Sequence, residues 1–467
     1  MKKFSRILIC LLLCVFGFGF VACDKRTEKE KNFTYPTVGD HVYGNGGLAV
    51  RKGNYVYFVN GYTSVKDAAD KKASYNVGSL MLMKLGENGE VVTDDNNLVK
   101  DEYFITMSDK LCGYEVTDLH IFGDYLYFVT PCLENESGDK TWAKERVVFS
   151  RIKLDKTSKV EEVYSTGVKY SELEYSYYEE NGNLFILTYE KGSSYYNNNG
   201  NNTLVRVHAN GKSSSIVAND VSSVVLAENS NEIFFVKDDI NEGKYYLKQY
   251  NIASNQTTDY ATFTSSVKAE FVAGGKVFIS QAHAVGSTTD IKVSNIATKS
   301  GFELFRAYDG SATLNVTPDG NAIVMVNGNT ISLVTGLTET ITIVDNAVSS
   351  IDVIGYYNGC IVYYAKVSEE SEYAYAVKMV SYYNYINGGD TEIKTLVSLE
   401  DLDTTVAQYC YFDLGDNYMY FFNKVNDDLY LHRVKINNNL GEDAEMFGVY
   451  ESDDIPEVEE EEEVVEE

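Results

Sequence analysis

Apolar residues in this chain come in short runs, and eight of these runs share one setting. Each follows a turn of Gly, Asn or Asp and is apolar at nearly every position. Gly53-Asn54 precedes the run 55–59, Gly123-Asp124 precedes 125–129, and Asn181-Gly182-Asn183 precedes 184–187. Asn229-Ser230-Asn231 precedes 233–236, Gly274-Gly275 precedes 277–279, and Asp319-Gly320-Asn321 precedes 322–326. Asn358-Gly359 precedes 360–364, and Gly415-Asp416-Asn417 precedes 418–422. A unit that recurs every ~40–70 residues marks a repeat architecture. The uneven spacing places the extra residues in loops.

Each unit has further parts in a fixed order. A short strand-like run precedes the turn, as at 116–122, 221–227, 267–272 and 350–354. After the apolar run come a loop, an alternating run such as 80–85, 149–154 or 429–434, a polar turn and a last short strand such as 160–164 or 302–305. This predicts four strands per unit. Beyond the first 22 residues no long stretch has helical apolar spacing, and the β-favouring Val, Ile, Thr, Tyr and Phe dominate. The second strand is apolar on both faces, as expected of a sheet packed between two neighbouring sheets. The expectation is therefore an all-β chain folded as a β-propeller of four-stranded antiparallel blades over 47–450. Eight blades are favoured, and seven is the alternative if the fifth or sixth unit is not a blade. A β-solenoid has shorter, more regular repeats, and two sandwiches would not carry one signal through the whole chain.

The pairing of Tyr125-Leu126-Tyr127-Phe128 with the run 149–154, and of Tyr55-Val56-Tyr57-Phe58 with 82–85, resembles a known family. It is similar to the propeller of bacterial proteins likened to that of the low-density-lipoprotein receptor. The Tyr-Trp-Thr-Asp tetrad of the receptor repeats is absent. The resemblance implies the fold and an extracellular binding role, and carries no catalytic residue.

The N-terminus reads as an address. Lys2, Lys3 and Arg6 precede an apolar stretch at 7–21, and the charged Asp24-Lys25-Arg26 follows at once. The stretch is too short for a membrane span and fits a secretory signal over 1–22. Phe20-Val21-Ala22-Cys23 resembles the lipobox of bacterial lipoproteins, with Phe20 where Leu is usual. That resemblance implies diacylglyceryl and palmitate chains on Cys23. Residues 23–46 then form a lipidated tether. The protein is expected on the extracytoplasmic face of a bacterial cell membrane, held by its lipid. Such a location permits disulfides, and Cys112 and Cys132 flank two strands of one unit and could pair; with no CxxC pattern among Cys112, Cys132, Cys360 and Cys410, the favoured reading is four reduced core residues.

The formal net charge is −29, and residues 451–467 hold eleven acids and no base. This excludes nucleic acid as a partner, since phosphate binding needs clustered Lys and Arg. The block 451–467 is read as a disordered acidic tail.

Catalytic patterns are missing. There is no G-x-S-x-G, no phosphate loop, no Ca²⁺ loop and no zinc spacing among His41, His120, His208, His283 and His432. His120 and His432 are read as structural. No metal or cofactor is expected. The longest insertions, 61–78, 133–146, 191–202 and 365–373, all join second and third strands and so leave one face. They carry the candidate ligand-binding residues Tyr62, Tyr75, Trp142, Tyr195, Tyr196 and Tyr373. Aromatic rings on a polar rim suit sugars or peptides. The leading reading is thus a binding module for an extracellular peptide, protein or glycan. The alternatives are a glycan-active hydrolase or lyase using channel carboxylates, and an envelope assembly scaffold. An enzyme is the less favoured reading.

Overall fold

The computed structural model describes residues 35 to 447 outside 38, 61–79, 87–88, 91–103, 109–117, 132–146, 156–157, 169–171, 193–201, 212, 227–231, 240, 284–287, 345–350, 367–374, 400–410, 414–417, 426–427 and 436–444. The strands form eight antiparallel sheets, seven of four strands and a first one of five. The protein is a β-propeller. Blades 1 to 8 span 42–108, 120–165, 173–219, 221–263, 267–308, 313–344, 351–399 and 411–446. Each apolar run of the sequence is the second strand of one blade, and the fifth and sixth units are blades like the rest.

Those runs are apolar on both sides because both sides are covered. Tyr55–Val59 is buried at every position, and so is nearly all of Asn183–Glu190. Alternate residues serve alternate neighbours. In blade 1, Tyr57 and Val59 join Leu126 and Phe128 of blade 2, whereas Val56 and Phe58 join Met419 and Phe421 of blade 8. The same sharing links blades 2 and 3, 3 and 4, 4 and 5, 5 and 6, and 6 and 7. The core is a ring of wedges between sheets. First strands touch between blades 4 and 5 and between blades 5 and 6, which places the first blade strands at the inner edge.

Every sheet is made of consecutive strands. Among the described residues no C-terminal strand pairs with blade 1, and side chains join blade 8 to blade 1. Phe447 packs edge-on against Phe58 at 4.9 Å. A recurring polar latch accompanies the apolar wedges. The turn between the third and fourth strands of one blade offers a carbonyl, and a side chain of the preceding blade donates to it. Tyr57 Oη donates to Leu154 O at 3.1 Å, Arg151 Nη1 to Ala209 O at 3.3 Å and Arg206 Nε to Ile252 O at 2.8 Å. Tyr260 Oη donates to Asn295 O at 3.1 Å, Arg306 Nη1 to Leu337 O at 2.7 Å and Arg433 Nη2 to Gly89 O at 2.9 Å. Arg151, Arg206 and Arg433 also lie over Tyr125, Phe185 and Tyr418 at 4.2, 4.1 and 4.2 Å. The aromatic face holds the guanidinium flat, which aims its donors at the next blade.

Two details depart from the sequence reading. Residues 35–46, assigned to the tether, contribute to the fold: Val42–Tyr43 adds a fifth strand to blade 1, and Tyr35 packs on the wedge between blades 1 and 2. A short helix, Tyr382–Asn387, sits between the last two strands of blade 7. Ser381 caps it by accepting from Asn384 N, and its buried Tyr382 enters the wedge between blades 6 and 7.

Candidate functional site

Antiparallel pairing gives the ring two different faces. On the turn face lie the tight hairpins between first and second strands and the turns that receive the latches. On the loop face lie the second-to-third-strand connections and the passages between blades. Second strands end at 59, 131, 190 and 366, and the third strands that follow begin at 80, 147, 203 and 375. All four insertions read as candidate recognition loops therefore leave from the loop face. Tyr62, Tyr75, Trp142, Tyr195, Tyr196 and Tyr373 lie outside the described residues, as do Cys23, Cys112, Cys132, Cys410 and the tail. Cys360 is a half-buried free thiol in the second strand of blade 7, and burial raises its pKa.

Several charged side chains of the described loop face form a partial collar held by neighbours. Its most enclosed member is Glu190, which ends the second strand of blade 3 and is 6% exposed. Glu190 Oε1 accepts from Tyr164 Oη at 2.7 Å and from Thr188 Oγ1 at 3.2 Å, and Oε2 accepts from Gly167 N at 3.0 Å. Burial, then the neighbouring Glu190 carboxylate, push the Tyr164 hydroxyl far above its ordinary pKa. The carboxylate ties the end of blade 2 to the start of the 191–202 insertion. Beside it, Glu174 and Lys191 pair at 2.6 Å.

Further round the ring, Ser222 Oγ donates to Asp238 Oδ1 at 2.7 Å. In blade 5, Lys268 Nζ donates to Glu270 Oε2 at 2.8 Å, and Ser280 Oγ donates to Glu270 Oε1 at 2.5 Å. His283 Nδ1 lies 2.7 Å from Asp290 Oδ1, with Asp290 buried and the ring partly open to solvent. A carboxylate only accepts, so Nδ1 is the donor in this contact. Among the described residues, no group of three or more His, Cys, Asp or Glu side chains is placed to hold a metal ion.

No family model matches the chain, and no curated protein matches it. Several solved structures align with parts of the chain. A prolyl endopeptidase aligns with a TM-score of 0.45 and 9% identity, over 87% of this chain and 55% of that one. The β-propeller domain of the Trilobed protease from Pyrococcus furiosus aligns at 0.39 and 11%, over 56% of this chain and 81% of that one. The oligogalacturonate lyase of Vibrio parahaemolyticus aligns at 0.34 and 9%, over 86% and 92%.

The inner edge and the turn face hold the remaining polar features. His120, on the first strand of blade 2, stacks on Tyr177 at 4.7 Å and reaches Glu179 Oε1 at 3.2 Å. His432 is buried and stacked on Phe421 at 5.8 Å. Both histidines are thus packed structural residues. A cleft of about 520 Å³ opens between blades 3 and 4 on the turn face, lined by Glu180, Glu232, Gln249, Asn251, Gln256 and Thr258 among others. Sequence reasoning found neither this cleft nor the Glu190 socket. The one available signal was the charge of Glu190 at the end of an otherwise apolar strand. Its partners Tyr164 and Gly167 belong to the preceding blade, out of reach of any local pattern.

Proposed function

We propose that this protein is a membrane-anchored extracytoplasmic lipoprotein whose propeller is a binding module for a peptide, protein or glycan. Lipid on Cys23 holds it at the bacterial membrane, and the aromatic residues of the four insertions make the contact. The observation that supports this reading is the common origin of those insertions at second-strand ends of one face. A rigid ring that sends its longest loops to one side presents them together, and function concentrates on such loops. Recognition is favoured over glycan cleavage because Glu190, Glu174, Asp238, Glu270 and Asp290 of that face are each engaged by a neighbouring donor. A general acid or base needs a carboxyl turned toward substrate.

The test is a screen of residues 24–467 against glycans, cell-wall fragments and peptides, with Trp142 fluorescence as a second readout. Saturable binding lost in Trp142→Ala and Tyr195→Ala, with the unfolding midpoint unchanged, is the expected result. Binding that survives both substitutions would move the site off these loops. Turnover of a bound glycan would replace the binding reading with an enzymatic one.

A further inference from the structure

We infer that the propeller stands with its turn face toward the membrane, so that the loop face points away from it. The inference rests on the lipidated Cys23 proposed above and adds to it a direction. Val42 pairs with Lys52 and Tyr43 with Arg51, antiparallel to the first blade strand, whose next residue is the hairpin glycine Gly53. Going backward from Tyr43, the chain therefore runs toward the hairpin. Gly53 N donates to His41 O at 3.2 Å, and a turn at 37–40 is closed by Asp40 Oδ2 accepting from Thr37 N at 2.6 Å.

Tyr35 then sits on the wedge of blades 1 and 2, near Tyr57, whose hydroxyl reaches the turn carbonyl of Leu154. Asn45 locks this segment in place. Its side-chain amide donates to Ile121 O at 3.2 Å and accepts from Ile121 N at 2.7 Å, as a strand neighbour would. The N-terminal side of the chain thus leaves under blades 1 and 2, on the turn face.

The other end leaves by the opposite side. The third strand of blade 8, Asp428–Lys435, starts at the loop face, and Glu445–Met446 pairs with it antiparallel. Phe447 N donates to Leu431 O at 2.8 Å, so residues 445–447 run toward the loop face. Reach sets the constraint. Tyr35 lies twelve positions after Cys23, at most about 40 Å of chain. Turning the loop face to the bilayer would require the tether to pass beneath the sheet, about 19 Å across four strands, and then climb a strand of about 23 Å. That path takes the whole reach.

The lipidated protein, purified from bacterial membranes and reconstituted in vesicles containing anionic lipid and an acceptor-labelled headgroup, tests this. A donor dye is placed at Ala297→Cys on the turn face or at Asn241→Cys on the loop face, with Cys112, Cys132, Cys360 and Cys410 replaced by Ser. Should that background fold poorly, an azide-bearing amino acid at 297 or 241 of the natural chain carries the same dye. The expected result is roughly twofold more energy transfer from 297 than from 241, given a separation of about 23 Å along the strands. Equal transfer, or more from 241, in protein that floats with the vesicles overturns the orientation and leaves the anchor standing. Protein that does not float with vesicles, while a Cys23→Ser control behaves the same, overturns the anchor and the orientation with it.

Discussion

Arg433 of blade 8 donates through Nη2 to the carbonyl of Gly89 in blade 1 at 2.9 Å, joining positions 344 residues apart. The guanidinium is 1% exposed. It lies over Tyr418 at 4.2 Å and Phe447 at 5.0 Å, and its Nε donates to Glu445. Every sheet is made of consecutive strands, and among the described residues this latch and the surrounding apolar wedge join blade 8 to blade 1. Arg433→Ala should cost about 2–4 kcal/mol, because it removes buried packing and leaves donors and acceptors unmatched. Arg306→Ala removes a latch of the same kind at an exposed position and should cost about 1 kcal/mol or less. Denaturant midpoints of the two variants measure the difference, and equal losses would contradict this account of closure.

Gly274 and Gly320 bring the hairpins of blades 5 and 6 into backbone contact. A Cβ on Gly274, at φ +54°, would lie 1.8 Å from Asp319 O. Gly274→Ala should destabilise by several kcal/mol, on the order of 3, since the turn conformation and the blade contact both reject it. Gly275→Ala meets no atom within 4 Å and carries only the positive-φ strain, about 1–2 kcal/mol. Thermal unfolding of both variants gives the comparison.

Glu190→Ala should lower stability by about 1–3 kcal/mol, because Tyr164, Thr188 and Gly167 lose their acceptor in a buried place. Glu174→Ala, in the half-exposed pair with Lys191, should stay within about 0.5 kcal/mol. Glu190→Gln keeps an acceptor oxygen and should fall between them. A hydrogen-exchange measurement on 188–192 and 202–206 would show whether the socket anchors the neighbouring insertion.

His208 carries a pH prediction. Burial, then the Arg206 charge, lower its pKa below the ordinary imidazole value. Its Nδ1 accepts from Asn210 N at 3.3 Å, and Nε2–H faces Asn183 Oδ1 at 3.3 Å, an arrangement that suits the neutral ring. The unfolded chain takes up the proton more readily, so the contribution of His208 is present above the unfolded pKa and is lost as pH falls below about 6.5. Unfolding midpoints between pH 7 and pH 5 should fall more steeply for the natural chain than for His208→Gln.

The repeat was legible because it depends on local chemistry. A Gly or Asn turn followed by a strand without polar alternation reports a hairpin whose second strand is covered on both sides, and all eight such runs hold that position. Tyr57 and Phe58 show why: adjacent residues serve the wedges to blade 2 and to blade 8. The structural placement of His120 and His432 followed from the same strand pattern.

The sequence alone settled what repeats and where the long insertions fall, because turn propensity and strand periodicity act over a few neighbours. Only the tertiary structure decided which distant groups meet. Arg433 needs Gly89, Glu190 needs Tyr164 and Gly167, and Asn45 needs Ile121. Residues 35–46 look like polar tether in sequence, yet they pair with the inner strand of blade 1 and clasp blade 2. Such contacts arise when closing the ring brings separate blades within hydrogen-bond distance, and no local pattern encodes that closure.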